Sequence, residues 1–290
     1  MDLQLFAVQI LNGLQLGVML FLMAAGLTLV FGIMRLINLA HGSLYMLGAY
    51  LAASFQKVTG SFVLGVLLAI PLVVAVGVLI EVALIRRLYA RDHLDQVLAT
   101  FALILFFNEL VRIAWGPQAY FMALPVFLSG TIDILPGLPY PAYRLAIVTA
   151  GIVVAFGLYG LLTRTRTGML IRAGASNREM AAALGVNIKL LSTLVFGLGA
   201  GLAGFAGMMA GPILSIEIGM GESILILAFV VIVIGGIGSV RGAFVAALVV
   251  GVADTFGRVL LPPALASMVI YILMAAVLFW RPQGLFSAHG

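Results

Sequence analysis

Residues able to do chemistry are scarce in this chain, and each stands out against an apolar background. The first group is Arg35-Leu36-Ile37-Asn38-Leu39-Ala40-His41-Gly42-Ser43-Leu44-Tyr45. Asn38, His41 and Ser43 offer hydrogen bonds, and Gly42 lets the backbone bend. Two readings stand open. One is a hairpin wetted by water. The other is non-helical backbone lining a translocation path, tolerated at membrane depth only where protein or a water-filled cavity satisfies it. The second group is Asn108-Glu109, with Arg112 on the same helix face. Glu109 and Arg112 are spaced to neutralise each other, or this polar face meets the path. Asp254 and Arg258, four apart, read as a further local pair.

The third group is Gly235-Gly236-Ile237-Gly238-Ser239-Val240-Arg241-Gly242. Each glycine costs a helix about 1 kcal/mol against Ala, so a turn or broken helix is expected here. No Lys-Ser or Lys-Thr follows, which excludes a phosphate loop. The only lysines are Lys57 and Lys189, and neither lies in such a motif, so the chain has no recognisable ATP-hydrolysing site. The fourth group lies in the stretch Arg164 to Lys189. Ser176 is spaced to cap a helix with Glu179 at its third position. Asn177 to Leu184 is good helix sequence, with Met180, Ala183 and Leu184 on one side and Gly185 as its stop. A short amphipathic helix outside the membrane follows, resting on lipid headgroups or docking a soluble partner. Few basic residues and a face of small Ala favour a protein groove.

Other chemistry is excluded by composition. There is no Cys, hence no disulfide, thiolate metal site or Cys nucleophile. His41, His93 and His289 match no metal-ligand spacing.

These residues must be positioned by membrane helices. Of 290 residues, 64% are apolar and only 9% charged, too few charges to cover a soluble domain, which carries about 25%. Mean hydropathy is +1.25. A net charge of +5 therefore marks cytoplasmic loops, not a nucleic-acid partner. Reading between charges places spans at 3–34, 36–56, 61–80, 96–115, 145–163, 190–213, 223–240, 242–259 and 264–280. That is eight clear crossings and a weaker ninth, 242–259. The first stretch exceeds one bilayer core, with Asn12-Gly13 and Gly26 as break points. Arg35, the cluster Arg86, Arg87 and Arg91, the cluster Arg164, Arg166, Arg172, Arg178 and Lys189, and Arg281 all fall on one side if nine crossings put the N-terminus outside and the C-terminus inside. An eight-span count sends Arg281 or the large basic loop outward. Asp2 stands where a signal peptide would be basic. Gly116 to Tyr143, with Pro117, Pro125, Pro136, Pro139 and Pro141, reads as an external loop. Gly197/Gly201 and Gly207/Gly211 give two GxxxG spacings for close helix packing.

Four motifs in order carry a resemblance. Gly26-Leu-Thr-Leu-Val-Phe-Gly-Ile33 with Ile37-Asn-Leu-Ala-His-Gly-Ser-Leu-Tyr-Met-Leu-Gly-Ala-Tyr50 resembles the N-terminal signature of ABC-importer permeases for branched-chain amino acids. Glu179-Met-Ala-Ala-Ala-Leu-Gly-Val-Asn187 is similar to that family's coupling motif, with Met180 in place of the first Ala. Ile234-Gly-Gly-Ile-Gly-Ser-Val-Arg-Gly-Ala243 and Trp280-Arg-Pro-Gln-Gly-Leu-Phe286 resemble its C-terminal signatures. The resemblance implies an all-α polytopic bundle in a bacterial inner membrane, residues 1–290 forming one permease domain with a coupling loop at 164–189. It implies the family's ten-helix fold with inverted repeats, lacking the first helix. It implies four kinds of partner: a second related permease, usually making a heterodimer, two ATP-binding subunits, a periplasmic binding protein, and lipid. No cofactor is expected on this chain, since ATP and Mg serve the partner subunits. The expected coupling residues are Arg172, Ser176, Arg178, Glu179, Met180, Ala181, Ala182, Ala183, Leu184 and Gly185. Those expected at the path or gate are Asn38, His41, Gly42, Ser43, Tyr45, Asn108, Glu109, Gly236, Ser239 and Arg241.

Two rival classes need other features. An ion-coupled secondary transporter needs buried ionisable residues; Glu109 and Asp254 are the candidates, each with an Arg nearby. A membrane-embedded enzyme needs a catalytic cluster, and the chain offers none.

Overall fold

The computed structural model describes residues 3–135 and 137–286. Asp2, Pro136 and His289 lie outside them. The chain opens with α1 (Leu3–Met34), α2 (His41–Thr59) and α3 (Phe62–Ile80). A single π-turn, Glu81–Ile85, carries α3 into α4 (Arg86–Leu88), and α5 (His93–Trp115) follows. A hairpin, β1 (Thr131–Leu135) and β2 (Leu138–Pro141), leads into α6 (Ala142–Arg164), α7 (Arg166–Ser176) and α8 (Arg178–Ala183). The last part comprises α9 (Ile188–Ala210), α10 (Met220–Gly235), α11 (Val240–Leu260), α12 (Pro263–Ala266) and α13 (Val269–Trp280).

Seven segments are long and apolar enough to cross a membrane: α1, α3–α4, α5, α6, α9, α11 and α12–α13. α10 has only 16 residues, fewer than the expected span at 223–240. α2 has 19 residues but carries His41, Ser43, Gln56 and Lys57. Both are nonetheless packed in the interior, α2 against α3, α9 and α10, and α10 against α1, α2 and α11.

α1 is the central post, and it does not break. Asn12, Gly13 and Gly26 lie within one continuous helix. The glycines serve close approach instead: a Cβ on Gly13 would lie 2.7 Å from Val252 Cα, and one on Gly17 would lie 2.8 Å from Leu248 Cα. Gly26 meets Gly199 of α9 in the same way, with 2.8 Å to its carbonyl oxygen. In lipid, helices associate through packing rather than water exclusion, so small residues at crossings decide which helices touch. The GxxxG glycines of α9 obey the same rule within the chain, Gly197 and Gly201 against Val74 of α3, Gly207 against the backbone of Tyr45, and Gly211 against Met122.

The packing partners form a pattern. α1 packs on α11 as α9 packs on α3; α2 packs on α9 as α10 packs on α1; α2–α3 matches α10–α11, and α2–α5 matches α10–α13. Exchanging α1, α2, α3 and α5 for α9, α10, α11 and α13 maps this set onto itself. At its centre Gly42 and Gly221, each the second residue of its helix, press backbone to backbone.

The loop after α5 is not wholly irregular: it carries one small hairpin in an otherwise helical bundle. β1 and β2 pair antiparallel around Gly137, whose φ of 79° suits a turn. Leu138 and Tyr140 alternate inward, and Tyr140 Oη donates to Asn12 Oδ1 at 3.0 Å. Arg144 donates to the same oxygen at 2.6 Å. This ties the hairpin to the start of α1.

Candidate functional site

The contacts sort the molecule into two ends. Arg35, at φ 51°, closes α1. The α3–α4 end, α7 and α8, the start of α9 and the turn between α10 and α11 lie at this same end. Most of the fifteen basic residues gather here; Lys57, Arg112, Arg144 and Arg258 lie at the other end. Two of those four are neutralised, Arg112 by Glu109 at 3.1 Å and Arg258 by Asp254 at 2.7 Å.

At the basic end α7 and α8 form a compact platform. Thr165 caps α7 by accepting from Gly168 N at 3.0 Å. The cap of α8 is Asn177, whose Oδ1 accepts from Met180 N at 2.9 Å. Ser176 is the last residue of α7, which corrects the expected Ser176–Glu179 capping box. Both residues suit an N-cap; continuation of α7 through Ser176 decides between them. Gly185 takes φ 88° and ends the segment. Ala181 faces inward, whereas Met180 (57% exposed) and Leu184 (79% exposed) project outward with Glu179, Ala182 and Ala183. The platform thus offers an apolar surface on a segment that carries little membrane-spanning character of its own.

The platform is anchored to the membrane helices through Arg178, one of the expected coupling residues, and through Tyr89, Glu81 and Thr193, which inspection of the sequence missed. Arg178 Cζ lies 5.1 Å over the ring of Tyr89, a cation–π contact. Tyr89 Oη donates to Glu81 Oε1 at 2.8 Å. Glu81 is fully buried at the π-turn and also accepts from Arg86 Nη2 at 2.8 Å and from Thr193 Oγ1 of α9 at 2.8 Å. Burial, then the bond to Glu81, pushes the Tyr89 phenol well above its usual range, so it remains a protonated donor. The extra residue of a π-turn re-aims side chains, and such turns recur at functional sites. A signal was present, since Glu81, Arg86 and Tyr89 share one short run, but a charge following Ile80 reads as the end of a span.

The expected path residues separate into three places. Asn38, His41, Ser43 and Tyr45 are buried within this chain. Asn38 Oδ1 accepts from Ala40 N at 3.1 Å, which shapes the turn into α2. Asn38 Nδ2 and His41 Nε2 have no hydrogen-bond partner among the described residues. Gly42 crosses Gly221 as described. Asn108 and Glu109 lie on the open side of α5, where Asn108 Nδ2 donates to Glu222 Oε1 of α10 at 2.8 Å. Gly236 (φ 99°) and Ser239, which caps α11 through Gly242 N at 3.1 Å, build the α10–α11 turn. Arg241 lies 5.3 Å over the Tyr159 ring.

That turn explains the last motif. Leu285 N donates to Ile234 O at 2.8 Å and Phe286 N to Gly235 O at 3.1 Å. The tail thereby satisfies carbonyls left free at the end of α10. Gly284 approaches Gly236 so closely that a Cβ on Gly284 would lie 2.6 Å from Gly236 Cα. The two C-terminal motifs are thus two sides of one joint.

Comparison with known proteins gives the family of the chain. Residues 9–278 match a family described as the branched-chain amino acid transport system permease component. The high-affinity branched-chain amino acid transport system permease protein BraD of Pseudomonas aeruginosa is 31% identical over 96% of this chain and 94% of its own length. The corresponding protein LivH of Escherichia coli is 29% identical over 97% of this chain and 95% of its own. A probable branched-chain amino acid permease of Methanocaldococcus jannaschii is 26% identical over 92% of the chain and 88% of its own. No solved structure matches. With a near-complete family match and relatives aligned end to end, this multi-pass membrane protein belongs to the branched-chain amino acid transport permease family.

Proposed function

We propose that the chain is the membrane permease of an ATP-driven importer, moving branched-chain or other hydrophobic amino acids, or related small solutes, delivered by an external binding protein. The carrying observation is the α7–α8 platform. It presents Met180 and Leu184 to a partner while Arg178, Tyr89, Glu81 and Thr193 join it to α3 and α9. In this reading two ATP-binding subunits dock there, and their closure pushes the platform. The buried Glu81 network passes the displacement to two membrane helices together. The partners must bind the two permease states unequally, otherwise nothing shifts.

The chain forms half of the path, and a second related permease completes it. The surfaces that support this are on α5 and α12–α13, in whose most apolar stretches only 22% and 11% of the residues are buried. Asn108 and Glu109 lie on the path side, and the buried Asn38–Tyr45 turn holds α2 and α10 in position behind it. Gly236, Ser239 and Arg241 shape the inner joint. Nine crossings, N-terminus outside and C-terminus inside, follow from counting α2 and α10 as spans and from the basic residues gathered at one end. The self-mapping pattern of helix contacts supports an inverted repeat relating α1–α5 to α9–α13.

The test is amino-acid uptake into proteoliposomes carrying the permease with its ATP-binding subunits and binding protein. Uptake is expected to require ATP and to survive collapse of proton and sodium gradients. Uptake that follows the gradients instead selects the ion-coupled reading. Gly185→Pro, which the positive φ cannot accommodate, is expected to abolish both uptake and co-purification of the ATP-binding subunits while membrane insertion persists. Wild-type ATPase coupling in that variant removes the docking role.

A further inference from the structure

A cleft of about 900 Å³ opens between α1, α6, α7 and α11 at the basic end; the transport reading uses Ser239 and Arg241 at its rim but gives the cleft no occupant. Its wall is apolar, built by Phe21 and Phe31 of α1, Phe156 of α6 and Phe244 of α11. Its mouth carries Arg35, Arg172 and Arg241. All three are exposed, and none is ion-paired among the described residues. Two are already oriented: Arg172 donates to the carbonyl of Leu162, and Arg241 stacks on Tyr159. Ser239 and Val240 also line the mouth, which places the start of α11, the positive end of its dipole, beside the arginines. Thr28 lies deeper, 1% exposed, with its hydroxyl unpartnered and the residue lining the cleft.

We propose that this cleft holds one anionic glycerophospholipid, its phosphate among Arg35, Arg172 and Arg241 and an acyl chain along the phenylalanine wall. Dimensions and charge select this occupant. From Phe21 to Arg35 the wall follows α1 for about 21 Å, which is half of a bilayer about 40–45 Å thick including headgroups. A soluble anion accounts for the arginines but not for the apolar wall. A zwitterionic lipid accounts for the wall but leaves the positive charge uncompensated. Guanidinium pairs bind phosphate through charge-assisted, often bidentate hydrogen bonds. Since α7 supplies Arg172, the lipid bridges the membrane to the platform. Glu179 faces Arg35 across a separate, smaller cavity and leaves the mouth basic.

The experiment is native mass spectrometry of the full chain, with the partner subunits that co-purify, released from nanodiscs of phosphatidylglycerol, phosphatidylethanolamine, or a mixture. One phosphatidylglycerol per permease is expected to survive activation that strips phosphatidylethanolamine. Excess inorganic phosphate is expected not to displace it. Arg35→Gln with Arg241→Gln is expected to weaken the affinity for phosphatidylglycerol about thirtyfold, read from a titration of the lipid, the effect of two basic residues at an anionic surface. Arg87→Gln with Arg91→Gln removes the same charge away from the cleft and is expected to change nothing. Gly32→Leu keeps every charge but fills the cleft; a Cβ there meets nothing closer than 3.9 Å, so the chain tolerates it while the lipid is lost. Equal retention of both lipids, displacement by phosphate, or undiminished binding in Gly32→Leu each overturns the proposal. The first two outcomes need no variant to fold.

Discussion

Two helices of this protein are equally credible as membrane spans and have opposite fates. The most apolar stretch of α1 is 83% buried inside the chain, whereas that of α12–α13 is 11% buried. Hydrophobicity does not separate them. α1 carries Gly13, Gly17 and Gly26, at each of which another helix comes within backbone contact. α13 runs Val269-Ile-Tyr-Ile-Leu-Met-Ala-Ala-Val-Leu-Phe-Trp280 without a glycine, and Ile270 is its one buried residue. Lipid tails are as apolar as leucine, so a large apolar side chain has no preference for the protein interior. Small residues admit a neighbour's backbone and thereby earn the central place; bulky ones leave a face for lipid or for another subunit.

The comparison can be broken most severely at a glycine crossing. Gly48 of α2 stands 2.6 Å, measured to an added Cβ, from Gly204 Cα of α9. Gly48→Val is expected to cost about 3 kcal/mol, the upper part of the overpacking range, and to remove the monodisperse peak in detergent size-exclusion. A normal peak would show that these crossings tolerate separation. Next in size is Glu81→Ala, which leaves Tyr89 and Thr193 without their buried acceptor. Its melting temperature is expected to fall by more than that of Glu109→Ala, whose exposed pair is worth about 0–1 kcal/mol, and transport should fall with it. An equal shift for the two variants would deny the π-turn its anchoring role. The smallest effect belongs to the open faces. Ile113→Ala on α5 and Phe279→Ala on α13, both more than four-fifths exposed, are expected to alter the chain's own stability by no more than about 0.5 kcal/mol. They should nevertheless weaken association with a second permease, read as a shift from dimer to monomer in light scattering. Loss of monomer stability would show these faces to be structural.

Charge and composition made much of this legible beforehand. Reading between charges located the ends of α1, Leu3 and Met34, because no charged residue lies between them. The Glu109–Arg112 and Asp254–Arg258 pairs formed as their helical spacing requires. Gly185 ended α8 because the left-handed conformation suits glycine. Other features misled for a common reason. Gly26 reads as a break point when its neighbours along the chain are considered alone; its real partners are Gly199 and His41, far away in sequence. Glu81 reads as the end of a span because a lone carboxylate is costly in the membrane; Arg86, Tyr89 and Thr193 supply the partners that let it be buried.

Composition and local spacing alone determined that this chain lives in a membrane, where most of its long apolar helices lie, which residues cluster as basic loops, and that a short exposed helix ends at Gly185; they did not show α7, which fell in a stretch read as loop. These follow from terms acting over a few residues: transfer of apolar side chains, backbone hydrogen bonding and turn preference. Only the tertiary structure decided that α1 stands at the centre, that Arg178 reaches Glu81 through Tyr89, and that three arginines distant in sequence share the mouth of one cleft. Those depend on which helix backbones can touch, a relation between residues far apart along the chain that no local term contains.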